Sequence, residues 1–278
     1  SGLSSSAAVE VLIGTIFNTL YGKEALSPLE IAQAGQYSEN RYFGKPSGLM
    51  DQAACSCGGV AAIDFLDPSR PDIEQLDIDF SSFGYELCVI DTGGNHANLT
   101  PCYAAIPQEM RSVAKLFDQK HLRGITVDQL IDQAPRIRRD AGDRALLRAL
   151  HFVHDDQRVA QQVQALKDGD FNRYLSLVAQ SGQSSIQWLQ NTYPDTLPQE
   201  QGISTALAFT QLFYRDRGIT GACRVHGGGF AGTIQAYVPS EHTADYMKWM
   251  ENVFGKGCTS CLTIRNRQAG CIGETRIP

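Results

Sequence analysis

The chain opens Ser1-Gly2-Leu3-Ser4-Ser5-Ser6-Ala7-Ala8-Val9-Glu10. A glycine and a run of hydroxyls lead straight into apolar residues at Val9, Leu12, Ile13, Ile16, Phe17 and Leu20, a 3.6-residue period that stops near Gly22. The spacing predicts a helix over 5–21. The first turn of a helix has unsatisfied N–H groups and the positive end of the dipole. A glycine there lets backbone approach an anion, so the segment suits a nucleotide phosphate. Three consecutive serines exceed what capping needs, and a hydroxyl beside a triphosphate can also ligate Mg²⁺. A serine-capped helix without a ligand fits the same residues. A loop of this kind belongs in the middle of a domain, so a preceding segment is expected to be missing from this sequence.

The 278 residues give room for one large or two ordinary domains. With 42% hydrophobic and 19% charged residues the chain should fold as a soluble globule. A net charge of −6 argues against a nucleic-acid partner. No apolar run is long enough to span a membrane, and no basic n-region precedes an apolar stretch at the start, so a cytoplasmic protein is expected. The eight cysteines are Cys55, Cys57, Cys88, Cys102, Cys223, Cys258, Cys261 and Cys271. Cys258-Thr-Ser-Cys261 has zinc-like spacing but no companion pair, so free thiols are expected.

Helical and strand patterns follow without linkers or repeats. Ser27 is placed to cap a short helix over 28–34. Residues 59–65 and 85–91 read as strands, and the second ends at Gly93-Gly94. From about 104 to 190 the patterns are mostly helical, and Arg136, Arg138, Arg139, Asp140, Asp143 and Arg144 read as solvated faces. Strands return at 221–225 and 232–238, with a helix over 243–254. Strands and helices are grouped rather than strictly alternating, which favours an α+β fold.

Two further segments could carry chemistry. Asp51 follows a Gly48-Leu49-Met50 turn and precedes Gln52 on a small-residue stretch. Such a carboxylate can act as a general base toward a hydroxyl, or serve as an ordinary acidic residue at a helix start. Glu39, twelve residues earlier, either completes an Mg²⁺ site or is a surface glutamate. Between two strands lies His226-Gly227-Gly228-Gly229-Phe230-Ala231-Gly232. Its glycines allow close backbone approach to a ligand or another loop, and a tight hairpin is the simpler reading. His226 reads as a structural loop residue.

Taken in order, these segments resemble the galactokinase branch of the small-molecule kinases that include homoserine, mevalonate and phosphomevalonate kinases. Gly2-Leu3-Ser4-Ser5-Ser6-Ala7 is similar to the triphosphate loop of that family. Residues 44–52, Gly-Lys-Pro-Ser-Gly-Leu-Met-Asp-Gln, resemble the stretch carrying the galactokinase catalytic aspartate. Arg224 to Phe230 resembles the third motif, which packs near the nucleotide. The Asp51-Gln52 pair after Gly48-Leu49-Met50 is the most specific and points to a sugar kinase.

The resemblance covers essentially the whole chain. It implies a two-domain fold: a truncated N-terminal α/β domain (ribosomal S5 domain 2-like) over 1–95 and a ferredoxin-like domain over 96–278. ATP would lie on Gly2, Leu3, Ser4, Ser5 and Ser6, with Gly227, Gly228 and Gly229 nearby. Ser6 and Glu39 would hold Mg²⁺. Asp51 would take the proton of the anomeric hydroxyl of galactose or a related sugar, and Gly48 and Tyr103 would touch that sugar. A monomer or weak dimer is expected.

Three departures matter. The family's opening motif, Gly-Arg-x-Glu-His-x-Asp, is absent. It supplies an arginine beside the catalytic aspartate, so residues 1–278 alone are expected to be inactive or very weak. Ala231 replaces a usual glycine. Residues 103–108, Tyr-Ala-Ala-Ile-Pro-Gln, lack the arginine-rich continuation of typical galactokinases, which admits a different hexose or an amino sugar. The rival expectation is a sugar- and ATP-binding regulator without turnover.

Overall fold

Ser27 and Glu30 form a full capping box: the Ser27 hydroxyl accepts from the Glu30 backbone N–H, and the Glu30 carboxylate accepts from the Ser27 N–H. In the computed structural model, which describes residues 4–44, 47–94, 99–265 and 269–270, this box starts α2 (Pro28–Arg41). The helix runs a full two turns beyond its predicted end at 34. Its buried residues, Ile31, Ala32, Gly35 and Glu39, lie on one face, so polar Gln36, Ser38 and Asn40 fall elsewhere and mask the apolar period.

Two compact units emerge. Among the described residues, the first comprises those from 4 to 79 together with 264, 265, 269 and 270, and the second is Phe80–Thr263. In the first, α1 (Ser5–Leu20), α2 and α3 (Met50–Cys57) pack on one another beside an antiparallel pair, β1 (Val60–Asp64) with β2 (Asp72–Leu76). The strand β2 was not foreseen. Residues beyond 264 join this unit through the Gly59 N–H to the Arg265 carbonyl, 2.8 Å, and the Ala269 N–H to the Ser56 carbonyl, 3.1 Å.

The second unit is built on a four-stranded antiparallel sheet in the order β4-β5-β3-β6, from β3 (Tyr85–Asp91), β4 (Ala222–Val225), β5 (Thr233–Pro239) and β6 (Thr259–Leu262). Because β3 lies between β5 and β6, the compact units divide after Asp79, not near the expected boundary at 95. Alternation sets the two faces of this sheet. Cys88, Ile90, Cys223, Val225, Ile234, Ala236 and Val238 share a core with Phe213 and Tyr214 of α9 (Gly202–Arg217) and Tyr246 and Met250 of α10 (Thr243–Phe254). Tyr237 points the other way, where Phe80 and two residues of α8 (Phe171–Ser184), Phe171 and Tyr174, ring it at centroid distances of 5.4, 6.2 and 5.6 Å.

A helical cluster completes the unit: α4 (Thr100–Lys115), α5 (Val127–Asp132), α6 (Ala134–Asp140) and α7 (Asp143–Lys167), sharing a core of Val113, Ala114, Leu130, Ile137, Ala145 and Ala149. Helix α4 begins earlier than its apolar period suggests and carries Pro107 inside it. The arrangement is α+β, as expected.

Candidate active site

The opening loop enters α1 through Ser4, a non-glycine residue in the left-handed region at φ 49°, whose side chain makes no capping bond. Helix entry is therefore left to backbone. Gly2 and Leu3 lie outside the described residues. The Ser6 hydroxyl donates to Glu39 Oε1 at 2.8 Å, a contact between residues thirty-three apart. Glu39 is only 4% exposed, so of the two sequence alternatives the surface glutamate is excluded.

Helix α3 supplies the next two groups from adjacent residues. Gln52 points inward and is buried, and its Nε2 donates to Glu39 Oε2 and Glu10 Oε2, both at 3.1 Å. Two carboxylate acceptors fix which end of the amide carries nitrogen. Gln52 Oε1 is buried and without a hydrogen-bond partner among the described residues. Asp51, one residue earlier, stands exposed in the first turn of α3. Consecutive helical residues diverge by about 100°, so one turn delivers an amide to a buried carboxylate and a carboxylate to solvent. Gly35 lets α2 come this close: a Cβ there would sit 3.2 Å from Glu10 Cβ and 3.3 Å from its carboxylate. A Cβ on Gly48 would meet nothing within 4 Å, leaving open space beside the start of α3.

Ser6 and Glu39 offer adjacent hard oxygen donors, as Mg²⁺ requires. Among the described residues no group of three or more His, Cys, Asp or Glu side chains could hold a metal. Together Ser6 and Glu39 could supply two protein ligands to such an ion.

In the second unit the glycine loop is the connection of the β4–β5 hairpin, closed by the His226 N–H to the Thr233 carbonyl at 3.0 Å. The Tyr103 hydroxyl, from α4, donates to the Gly229 carbonyl at 2.8 Å, and its ring stands edge-on to Phe230 at 5.2 Å. Burial raises the pKa of Tyr103, keeping it a donor. Asn191 grips the same loop: its Nδ2 donates to the Gly228 carbonyl at 3.1 Å, and its carbonyl accepts from the Phe230 N–H at 2.6 Å. A Cβ on Gly229, at φ 83°, would lie 2.1 Å from the Asn191 carbonyl oxygen, so only glycine fits. His226 bonds Gln235 at 3.0 Å, a structural role as expected. Sequence reasoning missed Asn191, which follows a π-helical turn at Ser185–Leu189, and left Gln52 and Glu10 out of the site. Gln52 could have been found through its place beside Asp51. Asn191 carries no such signal.

Arg138 and Arg139 pair with Asp143 and Asp140 at the surface, as expected of solvated faces. Arg144 departs from that reading. It bridges Glu109 and Asp195 at 2.6 and 2.7 Å, and the buried Arg148 joins it on Glu109 at 2.8 Å.

The fold corresponds to a known class. Residues 1–59 match the GHMP kinases N terminal domain. The chain superposes on Lactococcus lactis galactokinase complexed with galactose with a TM-score of 0.74, at 23% identity, covering 97% of this chain and 67% of that one. L. major mevalonate kinase in complex with R-mevalonate gives a TM-score of 0.57 at 17% identity, covering 96% of this chain and 66% of that one. These likenesses show the fold.

Within that class its similarity runs to galactokinases. It is 33% identical over 241 residues to the galactokinase of Actinobacillus pleuropneumoniae, covering 87% of this chain and 59% of that protein. With the Streptomyces coelicolor galactokinase it shares 31% over 255 residues, covering 91% and 62%. The chain thus spans about three fifths of the length of these curated relatives. No described helix is long and apolar enough to cross a membrane.

Proposed function

We propose that this chain serves ATP-dependent phosphorylation of the anomeric hydroxyl of a hexose, galactose or a close relative. The observation that carries the reading is the construction of α3. Asp51 faces solvent while its neighbour Gln52 holds the buried Glu39 that also accepts from Ser6 of the phosphate loop. A base, a metal carboxylate and a phosphate-loop hydroxyl are thereby linked through one short run of residues.

Phosphoryl transfer asks a protein for positioning and charge neutralisation more than for covalent chemistry. Asp51 accepts the proton of the sugar hydroxyl as that oxygen attacks the γ-phosphorus and the bond to ADP breaks. Ser4, Ser5 and Ser6 supply hydroxyls and N–H groups to the phosphates at the positive end of α1, and Gly2 and Leu3 belong to the same phosphate-binding run of sequence. Mg²⁺ held by Ser6 and Glu39 would neutralise charge on the phosphate oxygens. Gly48 leaves room for the sugar beside Asp51. Tyr103 fixes the glycine loop through Gly229. The sequence has no Gly-Arg-x-Glu-His-x-Asp motif, so turnover by residues 1–278 alone is expected to be low.

The test is sugar-dependent ADP release, with galactose, glucose, N-acetylgalactosamine and arabinose. It is run on residues 1–278 and on a version carrying a relative's upstream motif. Turnover on one sugar that falls at least about a hundredfold in Asp51→Asn supports the base assignment. ATP binding with no turnover on any sugar in either protein would overturn the kinase reading in favour of a ligand-binding regulator.

A further inference from the structure

Cys88 and Cys261 face each other across β3 and β6 in direct antiparallel register, with Sγ atoms 3.2 Å apart. The Asp91 N–H donates to the Cys258 carbonyl at 2.7 Å, which marks that neighbouring pair as hydrogen-bonded. Alternation then makes Cys88–Cys261, three positions away, a non-hydrogen-bonded pair. Cα atoms in such pairs are about 4.5 Å apart, inside the range of about 4.4–6.8 Å that a disulfide spans. The sequence had directed attention to Cys258 as the companion of Cys261. In the fold Cys258 is buried with its sulfur against the Thr259 hydroxyl at 3.5 Å, and the companion is Cys88, 173 residues away.

We infer that Cys88 and Cys261 form a reversible cross-strand disulfide when the protein meets a peroxide, Cys261 reacting first and Cys88 resolving. Access assigns the order: Cys261 is exposed at the sheet edge, whereas Cys88 is fully buried. Hydrogen bonding agrees with it. The hydrogen bond between the two sulfurs, and then burial, raise Cys88, while the same bond lowers Cys261 and favours its thiolate.

The Cys261 thiolate attacks one oxygen of hydrogen peroxide and the O–O bond breaks. The departing hydroxide takes the proton lost by the thiol, leaving water and a sulfenic acid on Cys261. The Cys88 sulfur then attacks the Cys261 sulfur. The S–O bond breaks, and the hydroxyl leaves as water with the Cys88 proton. Two thiols lose two electrons in all, and one peroxide becomes two waters. A thiol such as dithiothreitol reverses the bond by exchange. The product ties the edge strand β6 to the central strand β3, which costs little movement because the sulfurs are already in contact.

The 278-residue chain is reduced, freed of reductant, titrated with hydrogen peroxide, then denatured and alkylated for peptide mapping. The expected result is joint loss of alkylation at Cys88 and Cys261. Their two peptides should be linked and two hydrogen atoms lighter, and dithiothreitol should restore both thiols. In Cys261→Ser, Cys88 should remain fully alkylated after the same treatment. The inference is overturned if wild-type Cys88 stays a thiol while Cys261 becomes sulfinic acid. It is equally overturned if Cys261 links to Cys258, Cys271 or another molecule. The wild-type mapping decides the matter whether or not any variant folds.

Discussion

The two units bury very different amounts of side chain for the work they do. In the unit holding Phe80–Thr263, fifteen buried residues around the four-stranded sheet form one continuous core, and a second core joins α4 to α7. Among the described residues of the unit holding Ser6, Glu39 and Asp51, one buried cluster is small: Ala32, Leu49 and Ala53, with partly buried Leu29, Ile63, Phe65 and Ile73 against it. There Val9, Leu12, Ile13, Ile16, Phe17 and Leu20 of α1 are all 46% exposed or more. The unit that carries the proposed base and metal pair is held largely by helix contacts, a polar network and small residues, whereas the other is held by a layered apolar core. Local stability follows the density of buried apolar contacts, so the two should respond differently to the same kind of insult.

The largest contrast should come from Phe213→Ala. Phe213 is fully buried against Tyr246 and Trp249, and truncation should cost about 3–5 kcal/mol in guanidinium unfolding. A loss below about 1 kcal/mol would show that this core is not the dominant one.

His151 makes the second. Burial, opposed by Asp155 and reinforced by Arg224 and Arg158, lowers its pKa to about 4, and it bonds Ser184 at 2.9 Å. A histidine binds its proton at about 6.5 when unfolded, so between that pH and about 4 the unfolded chain holds more protons than the folded one. Stability from this group is therefore full above pH 6.5 and falls by up to about 3 kcal/mol as pH drops to 4. Melting curves across that range should lose this slope in His151→Gln, and an unchanged slope would assign it elsewhere.

In the thinner unit, Gln52→Leu keeps volume but leaves Glu39 and Glu10 without their shared donor. It should cost about 1–3 kcal/mol and weaken Mg²⁺ dependence, with Gln52→Asn no better because its amide is too short. A neutral result would dissociate Gln52 from Glu39. The smallest effect should be Phe17→Glu on the exposed face of α1. Stability should change by no more than about 0.5 kcal/mol, while binding of a hydrophobic dye such as ANS falls. A large destabilisation would mean that face is already covered.

Much of this was legible in advance. The helix after the serines, the cap at Ser27, the hairpin around Gly227–Gly229 and the helix-start position of Asp51 all rest on patterns within about ten residues. The apolar period of α1 was read correctly as helix, but a period does not say which side packs. Val11, with Ala7 and Asn18, is the side that packs, and the larger apolar residues face outward. The extent of α2 was missed because its buried face includes Gly35 and Glu39, which no hydrophobic period counts.

What the sequence by itself determined, then, was the set of local elements and the chemical types available at each: a hydroxyl loop, an Asp-Gln pair and a glycine hairpin. Tertiary structure alone decided that Glu39 is buried against Ser6 and Gln52, that Asn191 and Tyr103 hold the glycine loop, and that Cys88 meets Cys261. The physical reason is range. Periods, caps and turns are written in neighbouring residues, whereas burial of a carboxylate or pairing of two thiols depends on groups brought together from far along the chain, where no local pattern records the partner.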